Sequence, residues 1–353
     1  MNELKYRKEI IIWLLSGCFF ITAMVVIGGI TRLTGSGLSI TEWKLIRGTI
    51  PPLNEQQWRE EFENYKQIPQ YTKLNYHYTL EDFKKIFFWE YLHRLIGRII
   101  GFVFVFPFLF FAIKEQLKGT LLKKVLFLFF LGGLQGFLGW FMVKSGLSER
   151  TSVSHTRLAI HLMAAFITFG FTFYVALDLI YPQKNNYDLH LKKLHRFTWL
   201  VMLMLCFQII YGAFVAGIKA GKLYNTFPKM GDEWVAPAVS YSLSESGAAA
   251  IFNDVSVVQF IHRYTAYIVV ALFMALYVYA YNLHNARMQK LLSAEKLKAV
   301  NLLPYAVLFQ FLMGVFTLIY AVPVWLGILH QLGAFILFAI IVFLLHRFKT
   351  ATV

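Results

Sequence analysis

Long apolar runs dominate the chain, and each is long enough to cross a bilayer as a helix. About twenty apolar residues suffice for one crossing. The pattern predicts eight spans, at residues 11–30, 87–113, 121–143, 157–181, 197–217, 255–281, 302–322 and 325–346. The first run is too long for a signal-peptide core and seven more follow it, so it counts as a span. The pattern therefore predicts an all-α integral membrane protein with eight transmembrane helices.

The composition supports that fold class and excludes several others. Of the 353 residues, 58% are hydrophobic and 15% are charged, whereas a soluble domain carries about a quarter charged residues. The same figures exclude disordered and collagen-like chains. Two cysteines in the whole chain cannot form a disulfide scaffold.

The net charge of +15 sets the expected orientation of the spans. With the N-terminus in the cytoplasm, the cytoplasmic segments and the span ends beside them hold 17 basic and 6 acidic residues, a net charge of +11. The opposite face holds 14 basic and 12 acidic residues, a net charge of +2. This bias follows the positive-inside rule, and a basic rim also suits anionic lipid. We therefore expect both termini in the cytoplasm and no nucleic-acid partner.

The chain also contains an internal repeat. Four histidines fall into two pairs with the same spacing of 68 residues: His93 with His161, and His262 with His330. The sequence around the first member of each pair recurs at an offset of 169, as residues 90–94 and 259–263. The repeat predicts two four-helix bundles, residues 1–190 and 191–353, related by a pseudo-twofold axis along the membrane normal.

The four histidines are candidate haem ligands. Each lies four to seven residues inside an even-numbered span from the outer face, which places all four about 6–10 Å below one surface. Ionisable residues at such depth are usually functional, and two imidazoles can hold a haem iron. A small residue follows each histidine by four positions and would let a porphyrin approach the helix: Gly97, Ala165, Ala266 and Ala334.

The histidines are also compatible with simpler roles. A single membrane histidine can hydrogen-bond between helices without binding a metal. Copper or zinc is disfavoured because no cysteine, methionine or carboxylate cluster completes such a site. Arg94 and Arg263 directly follow two of the histidines, where they could bind haem propionates.

One position breaks the symmetry of the repeat. Glu90 stands one helical turn before His93, whereas its counterpart before His262 is the neutral Gln259. A carboxylate can accept and release protons near a haem and an amide cannot. This difference predicts chemistry in the N-terminal half, with Glu90 as the catalytic candidate. Glu90 could instead pair with Arg94, and the two roles are compatible.

Several longer motifs resemble the haem A synthase family. The motifs lie at residues 28–39, 41–43, 48–52, 58–69, 90–94, 225–230 and 330–331, and the resemblance extends over essentially the whole chain. The sequence is most similar to the branch found in mitochondria and in many Gram-negative bacteria.

The resemblance implies an activity and assigns roles to the histidines. Members of the family oxidise the C8 methyl group of haem O to a formyl group, in two oxidation steps followed by loss of water, and so make haem A. The family pattern places substrate haem O at His93 and His161, haem b at His262 and His330, and the important glutamate at Glu90. Some members carry an outer-loop cysteine pair, but Cys18 and Cys206 lie inside predicted spans here.

The resemblance also implies partners and a location. We expect a haem O synthase that supplies the substrate, oxidase assembly factors, membrane lipid and further copies of the chain. The expected location is the inner membrane of a bacterium, with the haem sites toward the outer face. Two rival functions remain at this point: a dihaem b-type electron-transfer protein, and a transporter that uses the histidines as a proton relay.

Overall fold

In the computed structural model, the described residues are 5–42, 47–148, 150–182, 188–286 and 291–350. Their regular structure is entirely helical, and eight of their helices are long and apolar enough to cross a membrane. The fold class predicted from the hydrophobic runs is thus confirmed. The chain separates into two compact units, residues 1–169 and 170–353.

The first unit contains α1 (Arg7–Leu33), α2 (Glu55–Lys66), α3 (Leu80–Ile113), α4 (Gly119–Lys144) and the beginning of α5 (His155–Ile180). Helices α1 and α3 pack along their lengths. Pro107 lies inside α3, where it removes the N–H that would bond the carbonyl of Val103. The indole of Trp13 in α1 donates a 3.0 Å hydrogen bond to that carbonyl, so the group has a partner where lipid could offer none.

Helix α2 is amphipathic and packs on the start of α3. Its Phe62 and Tyr65 are buried in one cluster with Phe83 and Phe87 of α3. Burial raises the pKa of Tyr65 to about 12. The Tyr65 hydroxyl donates to Gln70 Oε1 (3.1 Å), and the Gln70 amide donates to the carbonyl of Gly35 (3.0 Å). The segment after α1 is thereby tied to the layer that α2 forms.

The start of α3 differs from the expected span because the helix extends beyond the apolar run. The run begins at residue 87, but α3 begins at Leu80, where Thr79 forms a capping box with Asp82. The Thr79 hydroxyl accepts the Asp82 N–H and the Asp82 carboxylate accepts the Thr79 N–H, both at 3.3 Å. Hydropathy detects only the apolar part of such a helix. His93 lies thirteen residues after the first residue of α3, which is deeper in the helix than the apolar run indicates.

The second unit is a closed ring of four helices. It contains the end of α5, α6 (Leu189–Gly217), α7 (Pro237–Ser246), α8 (Ala250–Asn253), α9 (Val255–Asn285), α10 (Ala294–Ile319) and α11 (Val324–Phe348). Helix α6 packs on α9, α9 on α10, α10 on α11, and α11 again on α6, while α7 and α8 pack on α9.

Helix α10 ends earlier than the apolar run that predicted it. The run continues to residue 322, but Ala321 and Val322 have positive φ angles of 56° and 62°. Backbone in this left-handed region cannot continue a right-handed helix. The two residues form the tight turn into α11, and Val322 packs so close to Gly221 that a methyl group there would lie 2.8 Å from it.

Candidate functional site

The structure brings the predicted histidine pairs together within each unit. His93 in α3 and His161 in α5 are near enough to interact electrostatically, and so are His262 in α9 and His330 in α11. All four residues are half-buried. The Nδ1 atoms of His93, His161 and His262 are buried without a hydrogen-bond partner. Two neighbouring imidazoles with ring nitrogen atoms that no protein group uses would suit the iron of a haem.

Each histidine ring lies against a glycine of the preceding span. A methyl group added to the glycine would approach Cε1 of the ring to between 2.8 and 3.4 Å. The four pairs are Gly28 with His93 (3.0 Å), Gly139 with His161 (3.4 Å), Gly212 with His262 (3.2 Å) and Gly314 with His330 (2.8 Å). At Gly28, Gly212 and Gly314 a methyl group would force the ring or the helix to shift, whereas at Gly139 it would just reach van der Waals contact with the ring.

A glutamine stands one turn before three of these glycines. Its side-chain amide donates to the backbone carbonyl of the histidine that the glycine contacts. Gln135, Gln208 and Gln310 donate to the carbonyls of His161 (3.3 Å), His262 (2.9 Å) and His330 (2.8 Å), respectively. Gln310 Nε2 also lies 3.1 Å from His330 Nδ1. The fourth site differs, because a methionine, Met24, stands one turn before Gly28. Its Cε atom would lie 3.6 Å from a methyl group added to Gly97.

Sequence reasoning finds only part of this arrangement. A glutamine precedes a glycine by four residues at 135 and 139 and at 310 and 314, which by itself indicates no more than the repeat. The same spacing at 208 and 212 identifies a third copy. That these residues contact the histidines cannot be inferred from spacing, because the contact depends on how each helix is rotated toward its neighbour.

Glu90 is almost completely buried, with 3% of its surface exposed, and both of its oxygens accept two hydrogen bonds. Oε1 accepts Nε (3.1 Å) and Nη2 (2.6 Å) of Arg94. Oε2 accepts the Ser39 hydroxyl (2.8 Å) and the Ile40 N–H (3.0 Å). The carboxylate therefore joins α3 to the segment that follows α1, one turn from His93.

Arg94 in α3 and Arg263 in α9 make similar contacts with the loop that precedes each helix. Arg94 also donates to the carbonyls of Ile40 (2.8 Å) and Glu42 (3.1 Å). Arg263 donates to the carbonyls of Tyr224 (3.0 Å), Thr226 (2.9 Å) and Lys229 (2.7 Å). Each guanidinium thus fastens the loop before its helix to that helix, and a propionate would have to share donors that these carbonyls already use.

The second unit has no carboxylate at the corresponding position. Gln259 is also 3% exposed, but its amide donates to the Tyr224 carbonyl (3.2 Å). The four small residues after the histidines are at most partly covered: Gly97, Ala165, Ala266 and Ala334. No group of three or more His, Cys, Asp or Glu side chains suited to a metal ion occurs among the described residues. Trp43, part of one family motif, lies outside them.

Comparisons with known proteins agree with the resemblance. The profile of the COX15-CtaA family, described as cytochrome oxidase assembly protein, matches residues 11–342. A protein of Flavobacterium psychrophilum named heme A synthase is 49% identical over 98% of this chain and 100% of its own length. Proteins of the same name from Flavobacterium johnsoniae (47% identity, 97% of this chain and 98% of the relative) and Nitrosomonas eutropha (41%, 95% and 93%) are also similar. The resemblance to haem A synthases is thus confirmed, and the chain belongs to the COX15-CtaA family of cytochrome oxidase assembly proteins.

Proposed function

We propose that this chain is a membrane enzyme that makes haem A, by oxidising the C8 methyl group of haem O to a formyl group. The observation that carries this proposal is the pair of neighbouring histidines in each unit, with every ring of the four against a glycine. Relatives that are up to 49% identical over nearly the whole chain bear the name heme A synthase. Neither an electron-transfer protein nor a histidine-relay transporter is suggested by those names.

In this proposal, the two units have different tasks. His93 and His161 bind the substrate haem O, and His262 and His330 bind a resident haem b. A haem b in the second unit supplies one-electron chemistry. The glycine at each ring holds the imidazole in one orientation, so that the macrocycle is fixed relative to the helix. The partly exposed small residues Ala165 and Ala266 leave space beside their histidines.

Glu90 supports the assignment of chemistry to the first unit. Glu90 can carry a negative charge, whereas the corresponding Gln259 cannot, and Glu90 lies one turn from His93. The guanidinium of Arg94 balances that charge. We propose that this carboxylate accepts protons at the edge of the substrate and, at the same time, holds the 39–40 backbone over the site. Arg94 and Arg263 position the loops, and any propionate contact is shared with their carbonyl partners.

The proposed orientation follows from the charge distribution. Both termini lie in the cytoplasm, and the haem sites lie toward the outer leaflet of a bacterial inner membrane. Reporter fusions at the two termini and in the 218–254 connection test this arrangement. Cytoplasmic signals from both termini with an outer signal from the connection are expected, and the reverse pattern would contradict it.

Haem extraction tests the activity. The chain is coexpressed with a haem O synthase, and extracted haems are separated by chromatography. We expect haem A to accumulate, with haem b remaining in the purified protein. The matched variants His93→Ala and His262→Ala should then differ: the first should lose bound haem O and the second bound haem b. Haem b alone, without haem A under any condition, would contradict the proposal, and so would a protein without haem.

A further inference from the structure

Three basic side chains line one cavity at the junction of α4 and α5 in the first unit. Lys144 is the last residue of α4, Arg150 lies in the connection, and Arg157 is in the first turn of α5. The cavity has a volume of about 530 Å³, and the described residues that line it include no Asp or Glu. Its apolar wall is aromatic: Phe137, Trp140 and Phe141. Such a site attracts anions, since three cations converge and none of the described residues that line it is acidic.

Arg157 is the best held of the three cations. Its guanidinium carbon lies 3.7 Å from the centre of the Phe141 ring, and Nη1 donates a 2.8 Å hydrogen bond to the Phe141 carbonyl. This contact uses one of the five N–H donors of the group. Lys144 lies over the ring of Trp140, 5.0 Å from its centre. Attraction between each cation and the face of its ring holds both charges beside the cavity.

The cavity lies directly beyond a candidate haem ligand. Arg157 precedes His161 by four residues, so the two side chains share one face of α5 and are about 6 Å apart along its axis. On α4, Gly139 contacts His161 and Lys144 follows five residues later. On both helices, a residue at the His161 ring is therefore followed or preceded within about one turn and a half by one of the cations.

The second unit lacks these charges. At the offset that relates His161 to His330, Arg157 corresponds to Leu326, which is buried. At the offset that relates Gly139 to Gly314, Lys144 corresponds to Ile319. The repeat has thus kept the histidines and glycines in both units but has cations at this position only in the first.

We propose that Arg157, Lys144 and Arg150 form a carboxylate-binding site that receives the propionates of the substrate haem. The inference rests on the proposed function, since it requires that the first unit binds haem O. Haem carries two propionates on one edge of the macrocycle, and a guanidinium matches a carboxylate well. The site orients the substrate, because propionates held at the α4–α5 junction leave the opposite edge of the macrocycle pointing away from it.

A binding titration with two probes tests the inference. Haem O and its dimethyl ester, in which both carboxylates are masked, are titrated into the purified full-length protein in detergent and followed by absorbance. We expect the free acid to bind about tenfold or more tightly than the ester, as the loss of charged hydrogen bonds implies. Arg157→Gln should reduce the affinity for the acid to that for the ester and leave the ester unchanged.

Two further variants keep the result interpretable. Lys144→Gln combined with Arg150→Gln changes only exposed side chains and should give an intermediate loss for the acid alone. Lys73→Gln removes one exposed positive charge elsewhere in the first unit and should change neither affinity. Equal binding of acid and ester by the unaltered protein would overturn the inference.

A lipid headgroup is the alternative occupant of the cavity. Native mass spectrometry of the same variants measures the retention of phosphatidylglycerol. If the variants lose this lipid while their haem O affinity is unchanged, the site binds phosphate and the inference is wrong. Failure of the unaltered protein to bind haem O or to make haem A would instead contradict the proposed function.

Discussion

Replacing Glu90 by glutamine tests what the buried carboxylate contributes. The variant keeps the size of the side chain, but an amide has one acceptor oxygen and an NH₂ group that only donates. In the unaltered protein, four hydrogen bonds converge on Glu90, from Arg94, Ser39 and Ile40. Glutamine can accept about half of them, and its NH₂ group faces the remaining donors.

The expected weakening can be worked out from these hydrogen bonds. A hydrogen bond to a charged group contributes about 1.5–3 kcal/mol, and breaking a buried ion pair costs about 3–5 kcal/mol. If glutamine leaves half of the donors without an acceptor, we expect the free energy that keeps residues 39–40 bound to α3 to fall by about 3 kcal/mol. That corresponds to a roughly 100-fold rise in the open population of the segment.

Hydrogen exchange of the backbone measures this directly, because the Ile40 N–H itself donates to Glu90. We expect exchange at residues 36–42 to accelerate by about two orders of magnitude in Glu90→Gln, together with a strong fall in haem A output. Ser39→Ala is the matched control, since it removes one neutral donor and leaves the charge and Arg94 in place. It should accelerate exchange by roughly tenfold, as expected at the lower end of the range for one hydrogen bond to a charged group.

Three outcomes would contradict one role of Glu90 or the other. Unchanged exchange in Glu90→Gln would show that the carboxylate does not anchor the segment. Unchanged exchange with haem A output abolished would leave only the proton role. Full haem A output with a loosened segment would remove the proton role instead.

Three other predictions concern single side chains. Gly314→Ala should disturb its histidine more than Gly139→Ala, because the added methyl group meets the ring at 2.8 Å rather than 3.4 Å; haem content and the electron paramagnetic resonance of the bound haem measure the difference, and equal effects would contradict it. Trp13→Phe should lower the stability of the first unit by about 1–3 kcal/mol by leaving the Val103 carbonyl unpaired, which thermal unfolding in detergent can detect; an unchanged melting temperature would show that the bond is dispensable. Asp254 caps α9, and although burial opposes it, hydrogen bonds from Val257, Ser242 and Ser256 lower the pKa of its carboxyl. Asp254→Ala should therefore cost about 1 kcal/mol above the unfolded-state pKa of about 3.9; the difference in melting temperature should shrink as pH falls below that value through the lowered folded-state pKa, and a pH-independent difference would contradict the assignment.

The sequence is most informative where one physical signal decides the structure. Apolar length locates the eight long helices of the described residues, and the aromatic spacing of α2 and the cap at Thr79 are visible in the residue pattern. Helix ends are harder. The apolar run that predicts α3 omits the first residues of the helix. The run that predicts α10 continues past the left-handed turn at Ala321 and Val322.

The candidate site is only half visible for a related reason. The repeat pairs the histidines, because equal spacing in two copies needs no knowledge of packing. The contacts that orient them, such as Gly28 with His93, depend on the rotation and register of neighbouring helices. The saturation of Glu90 depends on the backbone path of residues 39–40, which no pattern in the chain encodes.

The glycine contacts also bear on how the protein is assembled during synthesis. Each of the four candidate histidines rests on a glycine from the span that precedes it in the chain, so each pair of consecutive spans carries one histidine together with the glycine that it contacts. The first such hairpin is complete before the ribosome has made α4. A pair of imidazoles exists only after the fourth span has entered the membrane. If the histidine pairs bind haem as proposed, the order of insertion sets the earliest moment at which haem can be captured, and the first unit reaches that moment while the second is still untranslated.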